Sequence, residues 1–531
     1  MTIAIPTDQK RLKGLVDRRH PEYKEKLDHW EFLHETYLGT RAWFQKHIFQ
    51  FNREGVETYQ GRVARAYRFN HTREVVDLVN KYLFKQAPLR AEDVSESLKR
   101  FRQCATMSGL ELAEFERQVG KAASIFGRAY VVVDNNFSGE APLTVADEKS
   151  GEGQLYAYIV HPEHFLDCGY DRNGLYNWVL LQENVRDDED PFESSGDVKP
   201  RFRLWTKTHW ALFEVSKRGR IDMVETGEHN LGVVPVLKCD HIESDQKYVV
   251  PALIEDIAYL DRAIANYLSN LDQIINDQTF SQLVMSAQGV LNGAPAGNAK
   301  DPTDPDHEAQ RRHIVKLGTS QILLYDGEHG SKPDYISPDP RQANLILATV
   351  RQIINEIYHT VGLAGERTKQ DNSMGIDNSS GVAKAFDFER VNALLSAKAN
   401  AMQAFSNRLE TLVRIYAGEK ISIADRGVDT VKYSMNFDVR NLIEDLSIAN
   451  ELALMAAPME IRRIQMKAIV DKLWPLMPDA DKKKLENAID AWEDSINNSV
   501  TRDLGDGSTL DDGKPGQGAV GGKEAVAKAA K

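Results

Sequence analysis

Apolar positions in the first 120 residues recur at spacings of three and four, the periodicity of amphipathic helices. Two such sets are Tyr23, Leu27, Trp30 and Leu33, and Val75, Leu78, Tyr82 and Leu83. Thr72 precedes the second set and is a predicted N-cap, with Glu74 and Asp77 in the first turn. Further helices are predicted over residues 91–101 and 110–124, so this part of the chain is predicted to be mostly helical.

The period changes to two at about Gly127. Short runs rich in β-branched and aromatic residues then alternate with turn signals, as in GRAYVVVD, QLYAYIV, LYNWVLLQE, RFRLWTKTHWALFEV and RIDMVE. These runs predict an antiparallel sheet built from hairpins. The acidic stretch from Asp187 to Asp190, followed by Pro191, is predicted to be a solvated loop.

The most regular helical pattern begins at Pro251, a residue that the first turn of a helix tolerates. Its apolar seam consists of Leu253, Ile257, Leu260, Ile264, Leu268, Leu271 and Ile275. At 1.5 Å per residue, this predicted helix is roughly 40 Å long. Four acidic residues occupy its other faces: Glu255, Asp256, Asp261 and Asp272.

Residues 279–340 interrupt the helical pattern with a segment rich in Gly, Pro and Asp, in which HIVKL and QILLYD are predicted strands. A second helix is predicted over 342–361. Its apolar face consists of Leu345, Val350, Ile353, Ile354 and Ile357. The polar stretch that follows, GLAGERTKQDNSMGIDNSSG, has no apolar period and is predicted to be a mobile loop.

A very long helix is predicted over 382–416, with an apolar seam of Phe388, Val391, Leu395, Met402, Phe405, Leu409, Leu412 and Tyr416. A short strand at 431–437 and helices at 442–476 and 479–497 complete the predicted folded part. The tail from about Asp503 is rich in Gly, Ala and Lys and is predicted to be flexible. The predicted fold class is therefore α+β and mainly helical.

Composition and charge narrow the functional classes. The 531 residues are 42% hydrophobic and 27% charged, as in ordinary globular proteins, and suggest about three or four modules. The net charge of −13 argues against a repressor or nuclease that grips DNA. It does not argue against a conduit, because each neutralised phosphate would add affinity and therefore friction.

Targeting and redox signals are weak. The N-terminus shows no secretory h-region, and residues 278–299 are uncharged but too rich in Gln, Ser, Asn, Gly and Pro to predict a membrane span. The three cysteines are widely spaced and predict a reducing compartment without a disulfide framework.

Signals for enzymatic chemistry are also weak. Gly516, Gly518 and Gly521 form a literal GxGxxG, but it follows no predicted strand and opens no helix. No Walker A spacing is present. The spacing of His161, His164 and Cys168 in HPEHFLDC is metal-like, and Cys239 and His241 could join a zinc site. Ordinary core or surface positions explain these residues more simply, so no catalytic residue, metal or cofactor is predicted.

Several segments resemble one known family in their order along the chain. They include HPEYKEKLDHWEFLHETYLGTR, then YQGRVARAYRFNHTREVVDLV with Tyr59, Arg62, Arg65 and Ala66, then FGRAYVVVD and SSGVAKAFDFERVNALLSAKANAM. Over roughly residues 20–480, this order resembles that of the portal proteins of tailed bacteriophages. Those proteins form a ring of subunits through which genomic DNA passes.

The resemblance implies a division of the chain. Its parts would be a wing of helices and sheet (1–250), a stem helix (251–278), a clip (279–340), a return stem helix (341–363), a tunnel loop (364–381), a long wing helix with a return strand (382–437), a helical crown (438–502) and a flexible tail (503–531). Two long amphipathic helices around a small insert would bury their apolar faces against neighbouring copies, in a heterologous contact that closes by rotation.

The resemblance also implies a structural role in the virion, at the capsid portal vertex, after assembly in the host cytoplasm. The implied partners include other copies of the chain, twelve in the family, and double-stranded DNA that is held transiently and without sequence specificity. Further implied partners are the large terminase subunit, a head–tail adaptor, the major capsid protein and scaffold. No membrane partner is implied. Arg367 and Lys369 would contact DNA from the tunnel loop, and Arg311, Arg312 and His313 would contact partners from the clip. The acids Glu255, Asp256, Asp261 and Asp272 would line the channel and repel DNA.

Two alternatives to this interpretation remain open. One is another virion structural protein, such as an adaptor or tail component, although the insert between two long helices argues against it. The other is a helical metalloenzyme that uses His161, His164 and Cys168.

Overall fold

The structure is a computed structural model. It describes residues 5–52, 54–136, 154–188, 190–216, 218–229, 231–279, 282–286, 322–325, 334–336, 340–363, 381–423, 429–435, 437, 448–452, 454–455, 457–473 and 479–491. The chain divides into two compact units, Met1–Asp438 and Val439–Lys531. Helices and sheets mix throughout the first unit, so the α+β class is confirmed at this level.

Among the described residues, seven helices occupy the N-terminal part of the first unit: α1 (Gln9–Val16), α2 (Pro21–Leu38), α3 (Arg41–His47), α4 (Val56–Arg65), α5 (His71–Leu83), α6 (Glu96–Gln103) and α7 (Leu112–Phe126). The mostly helical prediction is confirmed. The predicted N-cap of α5 is wrong, because the Asn70 side chain accepts the Arg73 N–H at 2.9 Å. Thr72 lies inside the helix and is fully buried.

The structure describes nine strands up to residue 240: β1 (Leu89–Arg90), β2 (Arg128–Asn135), β3 (Leu155–Val160), β4 (Phe165–Tyr170), β5 (Tyr176–Arg186), β6 (Val198–Thr206), β7 (His209–Val215), β8 (Ile221–Glu228) and β9 (Val236–Asp240). A single 3₁₀ turn, Pro162–His164, joins β3 to β4. Strands β4 to β8 form a five-stranded antiparallel sheet in sequential order. The antiparallel hairpins of β5 to β8 are as predicted, whereas β4 lies outside the predicted runs.

Strand β2 is the centre of a three-stranded antiparallel sheet between β3 and β9. Its first six residues are all buried, because α7 covers the sheet on one side. Gly127 makes the connection from α7 to β2 with φ of +83°. A Cβ atom there would overlap the Val250 carbonyl oxygen, so both the backbone conformation and the close approach require glycine.

The long helices differ from their predicted bounds mainly at one end. Helix α8 spans Ile257–Thr279, so the predicted start at Pro251 is wrong. The segment 251–256 instead forms a turn before the helix. The Leu253 N–H donates to the Ser124 carbonyl at 3.1 Å, and this hydrogen bond holds the segment against the end of α7. Helix α9 spans Pro340–Thr360 and α10 spans Gly381–Tyr416, close to the predicted bounds.

Between α8 and α9, the residues that the structure describes form three short strands. Strand β10 (Gln282–Ser286) pairs in parallel with β11 (Ile322–Tyr325) and antiparallel with β12 (Asp334–Ile336). Strand β11 falls in the predicted QILLYD run, whereas the HIVKL run lies outside the described residues. Strand β13 (Val431–Lys432) returns after α10 to pair with β1.

Two large apolar clusters fill the first unit. One cluster consists of side chains from α5, α7, the inner faces of β2 and β9, and the long helices α8, α9 and α10. The other cluster lies between α2 and the five-stranded sheet. The predicted seam of α10 is confirmed at its buried members, Leu395, Met402, Phe405, Leu409 and Leu412. Described on its own, the second unit contains α11 (Met459–Leu473) and α12 (Asp479–Asp490), which contact each other.

Candidate functional site

Helix α4 holds α8 through its arginines. The Arg62 side chain is 0% exposed, donates to both carboxylate oxygens of Glu54 at 2.8 and 2.7 Å, and donates to Ser269 Oγ on α8 at 3.0 Å. One helical turn on, Arg65 Nε donates to Asp272 Oδ2 at 3.0 Å. Both arginines belong to the YQGRVARAYRF segment, so this segment fixes the position of α8.

The acids predicted to line a channel occupy quite different environments. Asp261 is 0% exposed, and its Oδ2 accepts from Thr72 Oγ1 at 2.8 Å and from Arg68 Nη1 at 3.1 Å. The Arg68 guanidinium lies 3.9 Å from the Trp43 ring centroid. The prediction that Asp261 lines a channel is therefore wrong: this acid is an internal ion-pair partner that joins α8 to α5.

The other three acids are at least partly accessible. Glu255 precedes α8 and lies 3.3 Å from both Lys26 Nζ and His29 Nε2. His29 and the Ala252 N–H stabilise its carboxylate and lower the pKa of Glu255 to about 2. Asp256 is exposed, and Asp272 is partly exposed beside Arg65. For these three residues, the channel-facing role stays a prediction.

Burial along α8 and α9 changes from one end to the other. Ile257 and Ile264, in the first half of α8, and Ile357, near the end of α9, are 0% exposed. Toward the small sheet, Ile275 is 50% exposed and Leu345 is 69% exposed. Leu345, a member of the predicted apolar face of α9, is therefore left exposed within its own chain. The two helices pack against each other, and their ends nearest the insert carry uncovered apolar side chains.

The remaining predicted contact residues cannot be placed. Arg367 and Lys369, of the predicted tunnel loop, lie outside the residues that the structure describes. The same holds for Arg311, Arg312 and His313, of the predicted clip. Their roles stay predictions from sequence.

Helix α10 carries ionisable side chains inside the first unit that the sequence pattern does not reveal. Lys398 is 0% exposed and donates to the Gly120 carbonyl at 2.8 Å, and burial lowers the pKa of Lys398 to about 7. Glu410 accepts from Arg90 at 2.6 Å and from Arg102 at 2.7 Å. These partners lie hundreds of positions away along the chain, so no local spacing could have predicted them.

A cleft of about 830 Å³ opens between the sheets and α10. Its charged lining includes Lys207, Lys238, Glu243, Lys247 and Arg408. Burial lowers the pKa of Lys238, and Arg408 lies 3.4 Å from Glu243. The lining of the cleft contains both cations and anions, and as described it holds no nucleophile paired with a base.

The sulfur atoms proposed for a zinc site do not join their histidine neighbours. Burial raises the pKa of the Cys168 thiol to about 12 and also raises the pKa of the Cys239 thiol, which disfavours the thiolate that a metal needs. His161 instead lies near His34 on α2 and Glu163 in the 3₁₀ turn. The sequence spacing missed His34, which is more than a hundred residues away in the chain.

Among the helices that the structure describes, none combines the length and the apolar character needed to cross a membrane.

No family model and no curated protein match this chain. Among solved structures, it is similar to the neck of an empty GTA particle computed with C6 symmetry, with a TM-score of 0.35 and 11% sequence identity. The similarity covers 73% of this chain and 90% of that chain. A likeness of this size carries no conclusion about family or function.

Proposed function

We propose that this chain is a structural subunit without catalytic activity, and that copies of it form the ring-shaped portal channel of a phage-like virion. In that role the ring serves genome packaging, retention and ejection, and it docks the packaging motor and a head–tail adaptor. The order of motifs along the sequence supports the family assignment.

The observation that carries the proposal is the exposure at the ends of α8 and α9 nearest the small sheet. Ile275 and Leu345 are 50% and 69% exposed, and Leu347 is 38% exposed. Apolar side chains exposed together on two helices that pack against each other mark an interaction surface. Neighbouring copies in a ring would cover them, each with a different patch from the one it presents, as a closed heterologous assembly requires.

The anchoring of α8 supports the same role. Arg62, Arg65 and Arg68 connect this helix to α4 and to the chain just before α5 through Ser269, Asp272 and Asp261. These contacts hold α8 over most of its length, so they also fix the position of the segment that carries Ile275. The acidic balance of the chain suits a wall along which DNA slides, because it limits the number of phosphates that are neutralised.

The proposal is tested by the assembly state of the full-length chain, measured by mass photometry and by electron microscopy. We expect closed rings near twelve subunits, a number that comes from the family resemblance, with a hole wide enough for duplex DNA. A chain that remains monomeric or dimeric at every concentration contradicts the proposal.

A matched pair of variants tests whether the contact between subunits uses the exposed apolar side chains of α8 and α9. Leu345→Glu should shift the population from rings to smaller species, because it places a charge in the buried contact. Asn344→Glu adds the same charge at an exposed neighbouring position on another side of α9 and should leave the rings intact. Equal behaviour of the two variants would show that Leu345 is outside the contact between subunits.

A further inference from the structure

Three possible metal ligands converge where α2 meets the 3₁₀ turn after β3. His34, His161 and Glu163 each offer one ligand atom, and these atoms lie within 4.8 Å of one another. His34 Nδ1 is 3.3 Å from Glu163 Oε1, and the two imidazole rings meet edge to face with centroids 5.3 Å apart. Two imidazoles and one carboxylate form a ligand set that zinc uses with a further position open to water.

The geometry points to a site for a single divalent transition metal ion of the zinc class, bound by His34, His161 and Glu163. In a tetrahedral site with metal–ligand bonds of about 2.0–2.1 Å, the ligand atoms are about 3.3 Å apart. The His34–Glu163 pair already has this separation. The other pairs of ligand atoms lie within 4.8 Å and would have to come closer to surround an ion.

The surroundings fix the backbone of His161 and Glu163 and place an apolar ring behind the two imidazoles. The His164 N–H donates to the His161 carbonyl at 2.9 Å, and the Tyr23 hydroxyl donates to the Glu163 carbonyl at 2.8 Å. The buried Phe126 ring packs against both imidazoles, with centroids 4.8 Å from His161 and 5.3 Å from His34. Fixed ligands on two different elements, backed by an apolar ring, are what a preorganised metal site requires.

His161 is available as a ligand. Of the residues that the structure describes, none forms a hydrogen bond with its ring. All three side chains are only partly buried, which leaves a path for an ion to enter and a coordination position for water.

A bound ion would connect α2 to the start of the five-stranded sheet. The connection does not depend on the proposed ring, because all three ligands come from one chain. It also differs from the cysteine-containing zinc site considered from sequence, since neither Cys168 nor Cys239 takes part.

The test uses the full-length chain after removal of metals with a chelator. Titration with Zn²⁺ in a calorimeter should show one ion per chain, and the unfolding temperature should rise with Zn²⁺. With Co²⁺, the visible spectrum should show the bands of a site with nitrogen and oxygen ligands. Absence of stoichiometric binding, or a thiolate-to-cobalt charge-transfer band, overturns the proposal.

Variants assign the ligands. His161→Gln and Glu163→Gln should each weaken Zn²⁺ binding by at least about tenfold and abolish the rise in unfolding temperature. The matched control is His209→Gln, which removes another histidine paired with a glutamate, Glu228 at 3.1 Å. This control should bind Zn²⁺ as the unaltered chain does. Unchanged binding in Glu163→Gln, the variant that alters the structure least, would also overturn the proposal.

Discussion

Buried ionic groups decide which single substitutions this fold tolerates near α8. Arg62, Arg68 and Asp261 are almost completely excluded from solvent, and each has its charge matched by a hydrogen-bonded partner. Taking such a pair out of water costs free energy that the attraction between the charges offsets only when both partners are present. These residues therefore fix the positions of the elements that they join. Removing one partner should lower stability more than removing both, because it leaves the other charge buried without a counter-charge.

Asp261→Ala should destabilise the chain by about 3–5 kcal/mol, because it leaves the Arg68 guanidinium buried without a counter-charge. The midpoint of urea unfolding, followed by tryptophan fluorescence, measures the effect. Asp256→Ala is the control, since this acid is exposed five residues earlier and its removal should change stability by no more than about 0.5 kcal/mol. Similar values for the two variants would show that the Asp261 ion pair contributes little.

Glu255 should make the stability of the folded chain decrease as the solution becomes acidic. Its folded-state pKa is about 2, below the ordinary value of 4.5, so its contribution is present above pH 4.5 and is lost as the pH falls toward 2. Glu255→Gln should therefore lower the unfolding temperature at pH 7 and have no effect near pH 2. Glu57→Gln, at an exposed position, is the control. A difference between Glu255→Gln and the unaltered chain that persists unchanged down to pH 2 would contradict this linkage.

At the scale of elements, periodicity predicts which residues form helices and strands, but not which contacts end them. The seam of α10 and the hairpin of β6 and β7 follow directly from spacing. The start of α8 does not, because residues 251–256 are held as turns by the end of α7, which is distant in sequence. Strand β9 was missed for a similar reason: its pairing with β2 is long-range, and its own five residues are too short to show a period.

The candidate site residues show the same division. The segment around Arg62 and Arg65 could be recognised as a motif, but its contact with α8 depends on tertiary structure. From the sequence, Asp261 is predicted to lie on the polar face of a helix. Only the packing of α5 against α8 shows that this position is buried. The carboxylate–histidine group at His34 likewise joins residues that no local spacing relates.

The turn from α7 to β2 should tolerate no side chain at Gly127. Gly127→Ala meets two penalties: a positive φ, which costs roughly 1–2 kcal/mol for an L-residue, and overlap with the Val250 carbonyl. Gly174→Ala separates them, because Gly174 has φ of +77° but no atom within 4 Å of the added carbon. Thermal unfolding should show a clearly larger loss for Gly127→Ala. Equal losses would mean that the chain near Val250 moves aside at little cost.

For the whole molecule, the balance of charge matters more than any one contact. The chain carries 66 basic and 79 acidic residues, so an assembly of many copies multiplies a net negative charge. Such an assembly repels DNA at long range and can hold it only through a few local cations. A channel for a sliding duplex needs this combination, because retention by many weak contacts leaves the duplex free to move.

The assembled protein should therefore bind a short duplex only weakly, with Kd no tighter than the nonspecific range of about 10⁻⁴–10⁻⁶ M at physiological salt. Fluorescence anisotropy of a labelled duplex measures this affinity across salt concentrations. The double variant Arg367→Ala with Lys369→Ala should weaken binding and flatten its salt dependence, because fewer counterions are released. Lys10→Ala with Arg11→Ala removes the same charge from exposed positions on α1 and should have a smaller effect. Nanomolar affinity, or equal loss in the two double variants, would argue against a channel whose contacts with DNA come from the predicted tunnel loop.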